Sequence, residues 1–424
     1  MFHRRALRRH AGAGPSRRRA RQLIRFASSF RAVALAQALT RARAAATRFG
    51  VSRVTDITRL DVIGLPVFAS VRPAAMHGSL CVNAGKGLSA AEARVGAYME
   101  AIEFAAAEPP RARLGVRRAR VRDVLDGRAR ADAILDLCPL YGRSIPTDRP
   151  IDCVAARDLD GREALVPAEL VYFPYPLAPD QMLFGATTNG LASGATLEEA
   201  TLHGLLEAIE RDLASFAWVG RPSQRVVEAS LPARHREIIA SMRASALDMA
   251  IRWLPNEFGI ACFQAVLWER HRLDPVYMTD GFGCHLDPTI ALTRAVTEAV
   301  QGRLSFIHGA RDDIQDRHAE LARRTRLGPR GYARALLRRA LRRSTPFYFE
   351  QATNKAEGIK SFDDCLNRIR EALRHAGIAR ILRVRLTAQD LPVAVVRVVV
   401  PLLEYFTPRN PRVGRRLAEF VSRA

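Results

Sequence analysis

The sequence predicts an α+β fold with mixed and antiparallel sheets, and three observations favour it. Long helical patterns are interspersed with short stretches of alternating or β-branched residues. These helices and strands do not alternate one for one, as they would in a doubly wound parallel sheet. In addition, Asp160-Gly161 lies between two alternating stretches, which is the signature of an antiparallel hairpin.

The first half of the chain carries two predicted helices and four predicted strands. Ala, Leu and Arg at helical spacing predict the first helix, and Pro109-Pro110 would stop the second. Apolar and β-branched runs predict two strands between these helices, and the hairpin supplies two more. In chain order these elements cover residues 29–49, 51–60, 65–73, 89–107 and 151–171.

The second half carries four predicted helices and four predicted strands. Two long amphipathic patterns flank a pair of apolar runs, and a similar helix–strand–strand succession follows near the C-terminus. The helices are expected over 196–217, 288–309, 361–376 and after Pro411, and the strands over 262–270, 275–283, 379–386 and 393–401.

The formal charge of +23 suggests a nucleic-acid-binding protein, but its distribution weakens that hypothesis. Residues 1–50 contain 13 Arg and no Asp or Glu, and 63 of the 66 basic residues are Arg. We interpret this as a compositional preference for Arg rather than as a binding surface. We therefore expect no nucleic-acid partner.

Membrane and disulfide-rich classes are also disfavoured. No apolar run is long enough to span a bilayer, so we expect no membrane partner. The six cysteines include no CxxC pair, which argues against a zinc ribbon or a disulfide scaffold. Such cysteine usage suits a reducing cytoplasm, where we expect the protein to reside.

Residues 1–28 form an Arg-rich segment without acidic residues. We expect them to be a disordered arm, or the result of a translation start assigned too far upstream. The remaining residues, 29–424, are assigned to one folded domain. With 48% hydrophobic residues, the chain can bury a sizeable core.

One motif occurs twice at an offset of 107 residues. It reads G-x-[ST]-x-x-E-A, then six residues, then E-A-I-E, and it begins at Gly87 and at Gly194. A third, degraded copy has Asp287 at the cap position and E-A-V-Q, ending at Gln301, in place of E-A-I-E. We therefore predict three similar repeats, over about residues 78–108, 188–217 and 280–309.

Each repeat is expected to place a glycine-rich loop before a helix. Ser89 and Thr196 each have Glu three residues later, so both predict a capping box at the helix start. The glycines lie at 85–87, 190–194 and 281–283. A glycine loop at a helix N-terminus can bind an anion through free backbone N–H groups.

Glutamates in the first two repeats form narrow acidic faces. At 100° per residue, Glu199, His203, Glu207 and Glu210 fall within an arc of about 80°. A solvated face is the ordinary interpretation, but here leucines and isoleucines surround the glutamates. Because like charges repel, the cluster favours a bound cation. Carboxylates suit Mg²⁺, which commonly bridges to nucleotide phosphates.

Lys86 supports a phosphate site. It is one of only three lysines, and it lies in the first glycine segment. A compact ammonium suits a phosphate contact, although chance placement is the alternative. The residues alone thus predict a metal–nucleotide site between the repeats.

Three segments, taken together and in order, resemble the YcaO family of ATP-dependent proteins that modify peptide backbones. They read SLCVNAGKGLSAAEARVGAYMEAIE, TNGLASGATLEEATLHGLLEAIERD and GFGCHLDPTIALTRAVTEAVQGR. The resemblance extends over about residues 45–405. It implies a fold particular to this family, with ATP and Mg²⁺ bound between helices.

The resemblance also implies site residues, although none is assigned as a catalytic acid, base or nucleophile. For the nucleotide these are Ser79, Lys86, Glu100, Glu103, Asn189, His203, Glu207, Arg211, Gln301 and Arg303. For the metal they are Glu103, Glu199, Glu207 and Glu210.

The activity that the resemblance implies is activation of a backbone amide. A nucleophile adds to the carbonyl, ATP phosphorylates the oxygen, and phosphate leaves. The C-terminus lacks the Pro-rich tail of ring-forming members, so we expect thioamide formation with a TfuA-like or other partner that delivers substrate or sulfur. An azoline-forming cyclodehydratase and a non-catalytic scaffold are the alternatives, and we expect a homodimer.

Overall fold

The computed structural model describes residues 23–109, 115–126, 133–185, 187–314 and 328–423. Within them the fold is α+β, as predicted, and every strand pair of its four sheets is antiparallel. Residues 1–22 of the predicted arm lie outside the described residues.

Eight helices fall within the described part of the chain. They are α1 (Leu35–Ala46), α2 (Ala90–Ala107), α3 (Leu197–Trp218), α4 (Ala233–Ala244), α5 (Pro288–His308), α6 (Gly328–Ala340), α7 (Phe362–His375) and α8 (Arg415–Arg423). In the described residues, no helix is long and apolar enough to cross a membrane.

The strands form a hairpin and three larger sheets. The hairpin pairs β1 (Ile24–Arg25) with β2 (Phe30–Arg31), and a three-stranded sheet has the order β3 (Arg53–Asp56), β4 (Val67–Val71), β5 (Val82–Lys86). The six-stranded sheet contains β6 (Arg117–Arg120), β7 (Pro150–Asp158), β8 (Glu163–Pro167), β9 (Leu191–Gly194), β14 (Leu382–Arg385) and β15 (Ala394–Val399). The four-stranded sheet runs β10 (Gln224–Arg225), β11 (Leu247–Trp253), β12 (Ala261–Glu269), β13 (Thr279–His285).

Each predicted repeat forms a strand followed by a long helix: β5–α2, β9–α3 and β13–α5. The helices begin where the caps predicted. Ser89 Oγ accepts the backbone N–H of Glu92, Thr196 Oγ1 accepts that of Glu199, and Asp287 accepts those of the first turn of α5. Capping residues thus fix the starting points of the three helices that carry the acidic faces.

Three glycines of the repeats lie in strands rather than in the loops that the sequence suggested. Gly85 lies inside β5, and Gly281 and Gly283 lie inside β13. A Cβ on Gly85 would lie 2.0 Å from the backbone N of Ala97, and one on Gly283 would lie 2.0 Å from the carbonyl O of Ala291. The glycines are therefore required by close strand–helix packing rather than by an anion-binding loop.

The N-terminal hairpin belongs to the folded part of the chain, although the sequence assigned residues up to 28 to the arm. Phe30 is fully buried, and its ring meets His285 edge-on at 4.5 Å between centroids. The N–H of Leu23 also donates to the carbonyl of Lys360 at 3.4 Å. The fold therefore begins no later than residue 23.

Candidate functional site

A cavity of about 470 Å³ lies where the three strand–helix units converge. Side chains from β5, α2, α3 and α5 line it, together with residues of β9 and the N-terminal hairpin. Eight residues that the sequence analysis singled out are among them: Lys86, Glu100, Glu103, His203, Glu207, Glu210, Arg211 and Gln301. The helices bring these side chains together although they are far apart in the sequence.

The α2 glutamates are buried beneath this cavity. The N–H of Ala84 donates to Glu100 Oε2 at 3.2 Å, and the hydroxyl of Ser193 donates to Glu103 Oε1 at 2.5 Å. Burial raises the pKa of Glu103 to about 8, and the neighbouring charges of Glu100 and Glu207 add to this, whereas the Ser193 hydrogen bond opposes it. Burial also raises the pKa of Glu100, although Arg311 and Lys86 oppose the rise.

The α3 glutamates are in a similar environment. Burial raises the pKa of Glu207 to about 7, with Arg211 opposing the rise and Glu210 adding to it. Burial and the charge of Glu298 raise the pKa of Glu210, whose Oε2 accepts the N–H of Cys284 at 3.0 Å. The pKa values of three carboxyl groups that line the cavity, those of Glu103, Glu207 and Glu210, are thus raised, because the nearby positive charge does not offset their burial.

One carboxylate of the cavity is well compensated. Lys86 Nζ lies 2.7 Å from Glu298 Oε2, and Arg211 Nη2 lies 3.9 Å from Glu298 Oε1. Burial alone would raise the pKa of Glu298, but Lys86 and Arg211 outweigh it and hold this pKa below its usual value. Burial disfavours the Arg211 cation, yet Glu298, Glu210 and Glu207 together raise its pKa.

His203 is a neutral member of the site. Its Nδ1 lies 3.1 Å from the carbonyl O of Ser193, and its Nε2 lies 3.4 Å from that of Phe30. Burial, together with the charge of Arg31, lowers its pKa to about 4. The shorter contact favours the tautomer in which Nδ1–H donates to Ser193.

Arginine nitrogens without acceptors indicate that the cavity suits an anion. The Nε atoms of Arg31 and Arg294 are buried, and neither has a hydrogen-bond partner in the described structure. Both arginines line the cavity, as does Arg311. A buried donor without an acceptor is costly, so phosphate oxygens would supply what these guanidinium groups lack.

The donor set also fits Mg²⁺, provided that other ligands complete its shell. Carboxylate oxygens are the hard ligands that Mg²⁺ prefers, and a divalent cation would offset the burial and the mutual repulsion that raise the pKa values of Glu103 and Glu207. Among the described residues, no group of three or more His, Cys, Asp or Glu is arranged to hold a metal by itself. This agrees with the usual need of Mg²⁺ for phosphate and water ligands.

Four predicted site residues lie outside the cavity lining. Glu199 is one of the four, since its carboxylate is buried and accepts Arg31 Nη1 at 3.2 Å, Ala32 N at 3.2 Å and Ala195 N at 3.0 Å. Glu199 therefore anchors the N-terminal hairpin to the start of α3, whereas a role as a metal ligand was predicted for it.

Arg303 makes a structural ion pair instead of reaching the cavity. Its Nε lies 3.0 Å from Asp61 Oδ2, and its Nη1 lies 3.0 Å from Glu269 Oε1. Gln301, two residues earlier, does line the cavity. Residues two positions apart on a helix are separated by about 200° around its axis, so the side chains of Gln301 and Arg303 cannot share one face.

Ser79 and Asn189 lie near the cavity but are not part of its lining. Ser79 Oγ accepts Arg72 Nη2 at 3.0 Å. The carbonyl of Asn189 accepts Arg397 Nη1 at 2.9 Å, and its buried side-chain Oδ1 has no partner among the described residues. Neighbouring residues, Leu80 and Thr188, reach the cavity in their place.

Several residues of the cavity lining were not predicted from the sequence. Arg294 and Glu298 share a face of α5 with Gln301, at spacings of four and three, and extending the third repeat would have found them. Ser28 and Arg31 come from the N-terminal hairpin, which carries no motif. Only the folded chain shows that this hairpin reaches the site.

Comparisons with known proteins agree with this geometry. A model of the YcaO family, described as YcaO cyclodehydratase with ATP and Mg²⁺ binding, matches residues 84–404. An uncharacterised protein of Methanothermobacter thermautotrophicus is 35% identical over 386 residues, covering 88% of this chain and 94% of the relative. A Rhizobium leguminosarum bv. trifolii protein, described as uncharacterised and in the tfuA 3′ region, is 33% identical over 88% of each chain.

Solved structures share the fold. The structure of YcaO from Methanopyrus kandleri, bound with AMPPCP and Mg²⁺, is 26% identical and superimposes with a TM-score of 0.74 over 93% of this chain and 98% of its own. A heterocyclase in complex with substrate and cofactor superimposes with a TM-score of 0.72 over 91% of this chain and 54% of its own. At 20% identity, the heterocyclase match shows a common fold.

Proposed function

The chain belongs to the YcaO family, and from this premise we propose that it is an ATP- and Mg²⁺-dependent enzyme that activates a backbone amide of a peptide or protein. The observation that carries the proposal is the cavity, where under-compensated carboxylates face arginine nitrogens without acceptors. A metal–nucleotide is the ligand whose two charges match both features.

The residues divide into two groups around such a ligand. Glu103, Glu207 and Glu210 would hold Mg²⁺, and Arg294 and Arg31 would donate to phosphate oxygens. Lys86 and Arg211 would contact the phosphates while remaining close to Glu298. When bound, Mg²⁺–ATP supplies the phosphoryl group that makes the amide oxygen a good leaving group. Burial of the cavity carboxylates would strengthen all of these contacts.

For the nucleophile we propose sulfide, so that the product is a thioamide. In net terms the C–O bond breaks, a C–S bond forms, and the oxygen leaves as phosphate together with the proton of hydrosulfide. The relative in the tfuA 3′ region supports this branch. A TfuA-like protein would then deliver substrate or sulfur to this chain. We propose that this chain acts as a homodimer in the cytoplasm.

An azoline-forming cyclodehydratase is the second candidate, because the matching family model carries that description. In that case the nucleophile would be a Cys, Ser or Thr side chain of the substrate itself. Both reactions need the same amide activation, so the nucleotide cavity serves either one.

Nucleotide binding is tested by isothermal titration of Mg²⁺–ATP into the wild type and into Glu210→Gln. Gln keeps an oxygen for the Cys284 N–H but loses the charge, so we expect affinity to fall at least about tenfold while the fold survives. Glu163→Gln, at an exposed residue paired with Arg157, is the matched control. Unchanged affinity in Glu210→Gln would contradict the site.

The branch is tested by co-expressing the chain with its neighbouring genes and weighing any modified peptide. Exchange of sulfur for oxygen adds about 16 Da, whereas azoline formation removes about 18 Da as water; both require the amide oxygen to become a leaving group. We expect the gain. A water loss mapped to Cys, Ser or Thr would favour the cyclodehydratase, and Mg²⁺–ATP binding without any peptide change would favour a scaffold.

A further inference from the structure

A second cavity, of about 370 Å³, opens between α4, β11 and the segment after α6. Its floor is apolar and includes Leu231, Ile239, Met249, Ile251 and Leu341. None of its lining residues lines the nucleotide cavity. It is therefore a separate feature of the molecule, which we call the arginine-rimmed groove.

The rim of this groove is positively charged. Arg225 and Arg343 line it, both are exposed, and neither has a carboxylate partner in the described part of the chain. The acid at the rim, Glu228, is already occupied, because both of its oxygens lie 2.6 Å from nitrogens of Arg243. The groove thus presents positive charge that the described residues do not neutralise.

A buried arginine just behind the rim adds to this charge. Arg252 is 3% exposed, and its guanidinium donates to the carbonyls of Ala340 and Arg342 at 3.0 and 3.1 Å. Burial lowers its pKa, and the neighbouring charges that lower it further are all arginines: Arg225, Arg339 and Arg342. The basic character therefore continues beneath the surface.

The chemistry of the floor distinguishes between two anionic partners. Single-stranded nucleic acids are held by aromatic side chains on which bases stack, but none of the described residues that line the groove is Phe, Tyr or Trp. Branched and linear aliphatic side chains instead suit the apolar side chains of a peptide. A polypeptide that alternates carboxylates with apolar side chains would satisfy both rim and floor.

We propose that the arginine-rimmed groove binds an acidic polypeptide segment, with its carboxylates on Arg225 and Arg343 and its apolar side chains on the floor. The groove is separate from the nucleotide cavity, so this proposal does not depend on the proposed activity. For an enzyme that acts on peptides, such a groove would hold a partner chain away from the reacting amide.

The test measures fluorescence anisotropy of a labelled 12-residue peptide in which Glu and Leu alternate, without ATP. The wild type is compared with the double variant Arg225→Glu/Arg343→Glu. We expect the affinity to fall about tenfold or more, because two attractive contacts become repulsive. The loss should shrink as salt is raised.

The matched control is Arg59→Glu/Arg117→Glu, which makes the same charge change at two exposed arginines outside the groove. It should bind the peptide as the wild type does. Leu341→Ser, at a floor residue that is 37% exposed, tests the apolar contribution without emptying the core. Replacing Leu by Ser in the peptide should weaken binding to the wild type but change little in this variant. Titration of Mg²⁺–ATP checks that all variants keep the nucleotide site.

Three outcomes would overturn the proposal. The first is no binding of the Glu–Leu peptide up to about 1 mM, where only negligible affinity remains. The second is an equal loss in the control variant, which would show attraction to overall charge. The third is tighter binding of a 12-nucleotide oligouridylate that the groove variant abolishes, which would assign the groove to RNA.

Discussion

Replacing Glu103 by Gln is expected to stabilise the ligand-free protein above neutral pH while weakening its binding of Mg²⁺–ATP. The reason is the cost of ionising a buried carboxylate. Burial raises the pKa of Glu103 from 4.5 to about 8, and the charges of Glu100 and Glu207 oppose ionisation further. The uncharged amide avoids this cost and can still accept the Ser193 hydroxyl, which lies 2.5 Å from Oε1.

The sign and size of the effect follow from linkage. A carboxyl group whose pKa is raised by folding contributes stability that is fully present below pH 4.5 and is lost as pH rises towards 8. At 1.36 kcal/mol per unit, the loss is on the order of 5 kcal/mol at pH 8. Glu207, whose pKa is about 7, lowers the free energy of unfolding by a further amount on the order of 3 kcal/mol as the pH rises.

The assay is urea unfolding without Mg²⁺ or nucleotide, followed by circular dichroism at about pH 5 and about pH 8.5. Wild type and Glu103→Gln should differ little at the lower pH, and the variant should be more stable by several kcal/mol at the higher pH. Glu163→Gln, at a residue whose side chain is 57% exposed, should follow the wild type at both values.

Mg²⁺–ATP should reverse the order. Ligation requires the ionised form of Glu103, so the ligand should stabilise the wild type at pH 8.5 much more than it stabilises the variant. If Glu103→Gln is no more stable than the wild type at pH 8.5, ionising this carboxylate does not destabilise the folded protein. The physical argument for a cation beside Glu103 would then fail.

Two further predictions concern the architecture of the site. Gly85→Ala should lower the midpoint of thermal unfolding and weaken Mg²⁺–ATP binding, because the added Cβ would lie 2.0 Å from the backbone N of Ala97. The control is Gly115→Ala, whose Cβ meets no atom within 4 Å. Equal midpoints for the two variants would contradict the packing argument. Deleting residues 1–22 should leave the Mg²⁺–ATP affinity measured by calorimetry unchanged. Deleting residues 1–34 should weaken it, because this deletion removes the hairpin that lines the cavity. Equal affinities for both truncations would exclude the hairpin from the site.

Local signals predicted the helices that carry the site. Ser89 and Thr196 cap α2 and α3 at the expected residues, and Pro109 follows the end of α2 at Ala107. The Asp160-Gly161 turn joins β7 to β8 as predicted. Such features depend on a few adjacent residues, so the sequence states them directly.

Elements without local signals were missed. No prediction covered α4, which begins after Pro232 without a capping side chain, or β11, which is buried through contacts with β12 and α4. The glycines at 85, 281 and 283 illustrate the same limit, because a turn glycine and a packing glycine look alike in sequence. Their role is defined by the helix that lies against them.

The site residues divide in the same way. The acidic faces were visible because Glu100 and Glu103, or Glu207 and Glu210, lie on one helix at a spacing that puts them on one side. Arg294 and Arg303 show what is lost without the fold. Nine residues apart, they point to opposite sides of α5, and in the folded chain Arg294 lies on the cavity side together with Glu298.

The charges of the cavity indicate that its ligand carries both positive and negative charge. Lys86 and Arg211 both lie beside Glu298, and Arg211 opposes the rise in the pKa of Glu207 only in part, so the pKa values of Glu103 and Glu207 remain raised. The buried Nε atoms of Arg31 and Arg294 need acceptors, yet an anion alone would add to the repulsion felt by those carboxylates. A metal alone would lack a complete set of protein ligands, since the described residues hold no preformed metal set. A nucleotide that carries its own Mg²⁺ would satisfy the arginines with phosphate oxygens and the carboxylates with the cation in a single binding event.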